Sequence, residues 1–437
     1  MNIKQFFNLL RQQRLFSGIY ITSTTLSTAL TMTLFLVLYI MMGPIYPEQE
    51  RSRMAVLSSV LYAEQKYGGY RRSGASMELA DSLRNMPEVE CLTAINALDG
   101  SAVKGPDGER VPCVTQLVDA DYWRVFSFRF ICGRPFTRTE GEANSEVCVI
   151  SEGMARRLFG HTDLMQRVRK GDDSDLFVRN NGDKLIRVVG IVEDASAVTP
   201  QTYAQMWVPT EAYSYHDPEW KYQGQYELVM LVRDGNTVEQ LQKSVDSMVE
   251  RVNQERESNQ SDYRLRLEGQ PYPHWQNSII SGGTDDWQPF MRKMLGLLLA
   301  FLLIPAMNMS SMVASRINAR VSEMGIRRAY GAKRTTLLWQ VLQENFLLTL
   351  IGSLAGLALS WLIMTLGADW LPFIFNPGAI DASDMSEPIH IHADMLFSGR
   401  ILLTVLAVSI VLNLVSALVP TAWILHRSVT EAINHKR

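Results

Sequence analysis

The chain has 437 residues, 47% of them hydrophobic and 20% charged, with a net charge of −3. Length alone allows two or three soluble domains, and a mean hydropathy of −0.02 would suit them. The apolar residues are segregated instead, which excludes a wholly soluble chain. Residues 19–42, 290–313, 341–366 and 401–425 are each apolar enough to cross a bilayer, and the long interval between the first two reads as a water-exposed domain.

The first apolar stretch carries Thr22, Ser23, Thr24, Thr25, Ser27, Thr28, Thr31 and Thr33. Hydroxyls are tolerated in a membrane helix when they bond to their own backbone or to a neighbouring helix, so this face is read as turned toward other helices. The stretch is too long for a cleaved signal peptide, and no A-x-A-like site follows it. After Pro44 and Pro47, residues 48–66 place Met54, Leu57, Val60 and Leu61 on one side, which suggests a helix broken by Gly68-Gly69. Residues 284–293 lead directly into the second apolar stretch, so the chain is expected to leave and re-enter the membrane on a two-helix stalk.

Within the interval, VECLTAIN, PCVTQLV, EVCVIS, LIRVVGIVED, AQMWVP, YELVMLVR and YRLRLEG read as strands. Residues 152–159 and 238–252 read as helices, the second with Leu241, Val245, Met248 and Val252 at helical spacing. Residues 226–233, that second helix and 263–268 form a β-α-β unit, which together with the strand-rich middle suggests two subdomains; the polar stretch 171–183 reads as a loop or hairpin. Cys91, Cys113, Cys132 and Cys148 all lie in this domain. Four cysteines allow three full pairings among which sequence does not choose, and buried free thiols fit the apolar runs around Cys132 and Cys148.

Basic residues flank the spans asymmetrically. Lys4, Arg11 and Arg14 precede the first, Arg316, Arg320, Arg327, Arg328, Lys333 and Arg334 lie between the second and third, and Arg427, Lys436 and Arg437 follow the fourth. The loop between the third and fourth contains Asp369, Asp381, Asp384, Glu387 and Asp394 but no Lys or Arg. By the positive-inside rule both termini are inside and the large domain is outside. The fold expected is an α-helical membrane protein with four transmembrane helices and an α+β extracytoplasmic domain inserted between the first two. Its segments are a cytoplasmic stretch 1–18, a span 19–45, the stalk and core domain 46–289, a span 290–315, a cytoplasmic segment 316–336, a span 337–367, a periplasmic loop 368–398, a span 399–425 and a tail 426–437.

Between the second and third spans, RVSEMGIRRAYGA (320–332) is more than a connector. Met324, Ile326, Ala329 and Tyr330 offer an apolar surface within the positive charge, Glu323 and Arg327 stand at i,i+4, Gly325 permits close backbone approach, and Gly331 suits the left-handed position that ends a helix. The expectation is a short amphipathic helix at the cytoplasmic surface, with Met324, Ile326 and Tyr330 seated in a groove on another protein.

This segment, Arg320-x-x-Glu323-Met324-Gly325-Ile326-Arg327-Arg328-Ala329-Tyr330-Gly331-Ala332, resembles the signature R-x-x-E-[IM]-G-[IV]-R-[RK]-A-x-G-A of MacB/FtsX-type ABC transporter permeases, with Gln340, Glu344 and Gly352 at similar spacings beyond it. VDADYWRVFSFRFICGRPF, VCVISEGMARRLFG, RVVGIVED and AQMWVPTEAY are similar, in order, to the segments of that family's periplasmic core domain. The ending from Pro420 to Ile433 is similar too, although Val429 stands where a Pro is usual. The resemblance implies a four-span permease that works as a homodimer or related heterodimer, driven by a cytoplasmic ABC ATPase. It implies mechanotransmission: closure of the ATPase moves the stalks and reshapes the periplasmic domain to export peptides, antibiotics, toxins or lipid and lipoprotein cargo. A periplasmic adaptor, an outer-membrane channel and membrane lipids are further candidate partners; nothing points to nucleic acid.

The chain itself is expected to be non-catalytic and to bind no cofactor or metal. Gly325 to Lys333 has the wrong spacing for a Walker A loop, and Arg334 replaces the hydroxyl after the Lys, so ATP and magnesium belong to a partner ATPase on a separate chain. His390 and His392 alternate with Glu387 and Asp394 nearby, a pattern read as a solvated loop rather than a metal site. Gly352-x-x-x-Gly356 is read as helix packing within one protomer, and Pro305 and Asn308 as packing positions in the second span. The rival readings are an ATPase-independent membrane-anchored sensor, a regulator of cell-wall hydrolases, and an anchored hydrolase; the last lacks a catalytic set.

Overall fold

The computed structural model describes all residues except 1–13, 65, 67, 106–107, 144, 160–176, 180–184, 197–198, 200, 211–219, 260, 269–271, 274–286, 320, 368–398 and 426–437. The chain divides into two compact units, a helical one (1–39, 288–368 and 393–437) and an α+β one (40–287 and 369–392).

In the α+β unit, β1 (Met54–Leu57), β4 (Val89–Lys104), β5 (Arg110–Val118), β6 (Phe130–Gly133), β7 (Val147–Ser151), β8 (Phe177–Arg179), β9 (Leu185–Val192), β10 (Met206–Pro209), β12 (Glu227–Val232) and β14 (Tyr272–Pro273) form one sheet. Its order is β14-β1-β12-β4-β5-β10-β7-β9-β6, with β8 against β4 and β9. A second sheet has the order β11-β3-β2-β13, from β2 (Ser59–Glu64), β3 (Tyr70–Ala75), β11 (Gln223–Gly224) and β13 (Tyr263–Glu268). The helices of this unit are α2 (Met77–Arg84), α3 (Tyr122–Val125), α4 (Arg138–Glu142), α5 (Glu152–Phe159) and α6 (Val238–Ser258).

Alternation along the strands sorts side chains into separate cores. In β12, Leu228, Met230 and Val232 join one cluster, with Leu79 and Leu83 of α2, Leu241 and Val245 of α6, and Leu265 of β13. Val229 and Leu231 join another, with Tyr122, Phe126, Phe136 and Trp207. In β7, Val147 and Val149 enter this second core, while Cys148 and Ile150 pack against Met154, Ala155 and Leu158 of α5.

Residues 48–66 are not a stalk helix. They run through a short 3-10 turn (Arg51–Arg53) into β1 and β2. Met54 and Val56 enter one core while Ala55 and Leu57 enter the other. A strand buried on both faces reads as a continuous apolar run, and helical spacing can be found in any such run. The expected β-α-β unit is also corrected: α6 joins β12 to β13, but the strands belong to different sheets, and β13 pairs antiparallel with β2. All four cysteines are free and buried.

Two devices fix this unit's edges and turns. Gly133 (φ +75°) and Gly190 face each other across β6 and β9. A Cβ on Gly133 would lie 2.3 Å from the Val189 carbonyl oxygen, and one on Gly190 2.5 Å from the Arg134 oxygen, so neither position tolerates a side chain. On the outer edge of β13, the buried Asn253 amide of α6 substitutes for a strand. Its Nδ2 donates to the Leu265 carbonyl at 3.0 Å, and its Oδ1 accepts from the Leu265 N–H at 2.7 Å.

The remaining helices are α1 (Arg14–Met42), α7 (Trp287–Ala319), α8 (Val321–Ala329), α9 (Arg334–Leu366) and α10 (Gly399–Leu425); they make up the helical unit except that residues 40–42 of α1 and 287 of α7 belong to the α+β unit. Among the described residues, 14–40 and 334–366 are long and apolar enough to cross a membrane. The hydroxyl face of α1 lies on α9. Tyr20 Oη and Thr349 Oγ1 are 3.0 Å apart, Thr25 Oγ1 donates to the Gly352 carbonyl at 3.2 Å, and Thr33 and Ser360 hydroxyls are 3.2 Å apart. Both numberings rise together, so α1 and α9 run parallel. Ser27 Oγ donates to the Phe301 carbonyl of α7 at 3.1 Å.

Asn253→Leu leaves both Leu265 backbone groups unsatisfied and is expected to cost about 3 kcal/mol, read by denaturant titration of the chain in detergent. Burial, with Glu48 adding to it, pushes the Glu227 carboxyl up to about 7, and burial pushes Asp119 up to about 6. A folded carboxyl with a raised pKa holds a proton the unfolded chain has lost, so stability falls as pH rises from about 5 to 7 and levels off above that. Glu227→Gln is expected to stabilise the protein at pH 8 and to reduce that slope without abolishing it; thermal midpoints at pH 5 and 8 check both.

Candidate functional site

The 320–332 segment is a helix ended by its glycine. Helix α8 covers Val321–Ala329, and Gly331 adopts φ +94° just beyond it. The Ala332 N–H bonds the Arg327 carbonyl and the Gly331 N–H bonds the Arg328 carbonyl, both at 3.0 Å. This paired closure satisfies carbonyls that the helix end would otherwise leave open, and only a residue at ease with positive φ makes it without strain. Glu323 and Arg327 form an i,i+4 ion pair at 2.7 Å, and Arg327 Nη1 also donates to Gln340 Oε1 of α9 at 3.3 Å. The basic side chain nearest the middle of the helix is thus oriented toward α9.

The apolar residues of α8 do not share one face. Met324 packs against the cluster of Tyr20, Val313, Ile317, Val341, Leu348 and Ala417, drawn from α1, α7, α9 and α10. Ile326 is 50% exposed and Tyr330 90% exposed. At about 100° per residue, Met324 lies about 200° from Ile326, whereas Ile326 and Tyr330 are about 40° apart. The expected trio of Met324, Ile326 and Tyr330 is therefore corrected: Met324 holds α8 onto the bundle, and Ile326 with Tyr330 faces outward. Gly325 is buried, Arg328 and Ala332 are half-buried, and Ala329, Lys333 and Arg334 are exposed. Arg320 and the side chain of Arg316 lie outside the described residues, as do His390 and His392.

The small residues of α9 meet α1 directly. A Cβ on Gly352 would lie 2.6 Å from Thr24 Cβ, and one on Gly356 2.7 Å from both the Thr25 carbonyl oxygen and Thr28 Cβ. Helix α7 continues through Pro305 and Asn308, whose side chains lie outside the described residues. Sequence reasoning did not anticipate the Arg327–Gln340 contact, nor the burial of Glu344 and Asn345 in α9. The i,i+4 spacing of Gln340 and Glu344 was the available signal. Among the described residues no group of three or more His, Cys, Asp or Glu side chains is placed to hold a metal ion.

The profile of the MacB-like periplasmic core domain matches residues 17–248, and that of the FtsX-like permease C-terminal region matches 295–429. The pyoverdine export ATP-binding/permease protein PvdT of Pseudomonas savastanoi pv. phaseolicola is 23% identical over 331 residues, covering 71% of this chain and 45% of that protein. The macrolide export ATP-binding/permease protein MacB of Burkholderia cenocepacia is 25% identical over 272 residues, 60% of this chain and 36% of that one. The chain thus spans less than half the length of these two relatives. The solved periplasmic region of MacB from Actinobacillus actinomycetemcomitans aligns at 13% identity and a TM-score of 0.32, over 49% of this chain and 89% of that structure. Carrying both profiles in order along its length, the chain belongs to the MacB/FtsX-type family of ABC transporter permeases.

Proposed function

We propose that the chain is the permease subunit of an ABC exporter, a dimer of identical or related chains that couples ATP hydrolysis on a partner ATPase to conformational change in its outer domain. The observation that carries this reading is the split on α8. Met324 is committed to the bundle, which leaves Ile326 and Tyr330 as an apolar pair facing away from it, with exposed Lys333 and Arg334 nearby. A connector that served only membrane topology would need the charges and not this pair. A helix packed on a bundle by one side and open on the other suits seating in a groove on a second protein.

Four spans with both termini inside accord with the parallel run of α1 and α9, because first and third spans cross in the same direction. The inner membrane is the proposed location, with the α+β domain on the periplasmic side. The chain is proposed to be non-catalytic, and its cargo to come from the peptide, antibiotic, toxin, lipid and lipoprotein classes.

Affinity purification from native membranes in mild detergent is expected to bring down an ABC ATPase. Ile326→Asp changes an exposed side chain, so expression and thermal midpoint should hold while ATPase recovery and stimulated hydrolysis fall at least tenfold; Gly325→Arg, at a buried position, is expected to uncouple as well. An Ile326→Asp chain with normal recovery and hydrolysis would sink the coupling role of α8. Gly356→Leu is expected to force α1 and α9 apart at a cost of about 2 kcal/mol, seen as a lower thermal midpoint in detergent.

A further inference from the structure

The segment that follows α1 is tied into the α+β domain more firmly than a connector requires. Gly43, Ile45, Tyr46, Pro47, Glu48 and Arg51 are all buried. A flexible linker runs over the surface and leaves its backbone to water; this one is held at three points.

The first point is the end of the helix. Arg51 Nη1 donates to the Ile40 carbonyl at 2.5 Å and to the Gly43 carbonyl at 3.3 Å, filling acceptors that the last turn of α1 leaves open. The second is a buried ion pair. Arg51 Nε donates to Glu48 Oε2 at 2.8 Å, and the other Glu48 oxygen accepts from the Thr202 hydroxyl at 3.2 Å. The third is Tyr46. Its hydroxyl accepts from the Arg129 N–H at 3.2 Å and donates to the Glu193 carbonyl at 3.4 Å, with the Arg129 guanidinium 4.6 Å from the ring centre. The Ser127 N–H bonds the Pro47 carbonyl at 2.9 Å, closing the same side.

A buried ion pair contributes little net stability compared with apolar side chains of the same volume, so stability is a weak reason for charge at this position. What the pair supplies is direction. A guanidinium fork holds two backbone carbonyls and a carboxylate in one fixed geometry, and the carboxylate extends that geometry to Thr202. We propose that Arg51, with Glu48, is a positioning residue for coupling: it locks the last turn of α1 to the domain segments around Arg129, Glu193 and Thr202, so that displacement of α1 reaches those segments instead of being absorbed in the connector. This rests on the reading of the chain as an ATP-driven permease.

The test uses the full chain with its ATPase in lipid nanodiscs, with amide hydrogen exchange recorded without nucleotide and in the vanadate-trapped state. In the wild type, peptides containing Glu193 and Thr202 are expected to change exchange on trapping, while residues 43–48 stay protected in both states. Arg51→Lys keeps the charge and loses the fork; the double variant Glu48→Gln with Arg51→Gln removes both charges. For both, ATPase recovery and stimulated hydrolysis should remain within twofold of wild type, while the trapping-dependent change around Glu193 and Thr202 falls at least fivefold. Folded variants that keep the full change would overturn the joint. So would loss of protection at 43–48 on trapping in the wild type, an outcome that needs no variant to fold. No trapping-dependent change anywhere in the wild-type domain would instead remove the coupling reading itself.

Discussion

Strand β12 is buried on both faces, and the α+β unit is organised around that constraint. A strand in this position cannot alternate apolar with polar residues, because each face must meet a hydrophobic core. Leu228, Met230 and Val232 complete the core that holds α2, α6 and the small sheet, while Val229 and Leu231 complete the aromatic core of Tyr122, Phe126 and Trp207. Its neighbour β1 is divided between the same two cores. The two-sheet architecture follows: β2 and β13 with α2 and α6 pack on one side of this shared wall, and α3 packs on the other.

Polar groups within and around these cores are used for geometry. Trp207 Nε1 donates to Tyr122 Oη, which in turn donates to Gln116 Oε1, so the fully buried Trp207 side chain is held in one orientation. Thr137 and Glu140 cap α4 reciprocally, and the Arg134 guanidinium beside Glu140 holds its carboxyl down at about 2. In the helical unit, hydroxyls and glycines do comparable work. Lipid offers no hydrophobic force to bring helices together, so close approach depends on small residues and cross-helix hydrogen bonds, and both occur where α1 meets α9.

Much of this was legible from the residues. Seven strand segments and the helices beginning at Glu152 and Val238 stand where alternation and helical spacing place them, and Gly331 closes α8 by the conformation its side chain permits. The first two strands were misread because MAVLSSVLYAE is apolar on both faces, and two-sided burial erases the period that separates strand from helix. Glu48 and Arg51 gave no signal at all. At i,i+3 they resemble an exposed surface pair, and nothing local announces that both are enclosed.

The amino-acid sequence by itself determined which segments are apolar, which side of a membrane the charges favour, where strands and helices begin, and which signature α8 carries. These are local properties, written in composition, spacing and backbone preference, and the role of α8 in coupling is not among them. Tertiary structure alone decided which face of a residue meets which core, that β13 leaves its helix for a different sheet, that Met324 turns inward while Ile326 and Tyr330 turn outward, and that Arg51 reaches the end of α1. Each depends on contacts between residues distant in the chain or on opposite sides of one element, and no window along the sequence contains both partners.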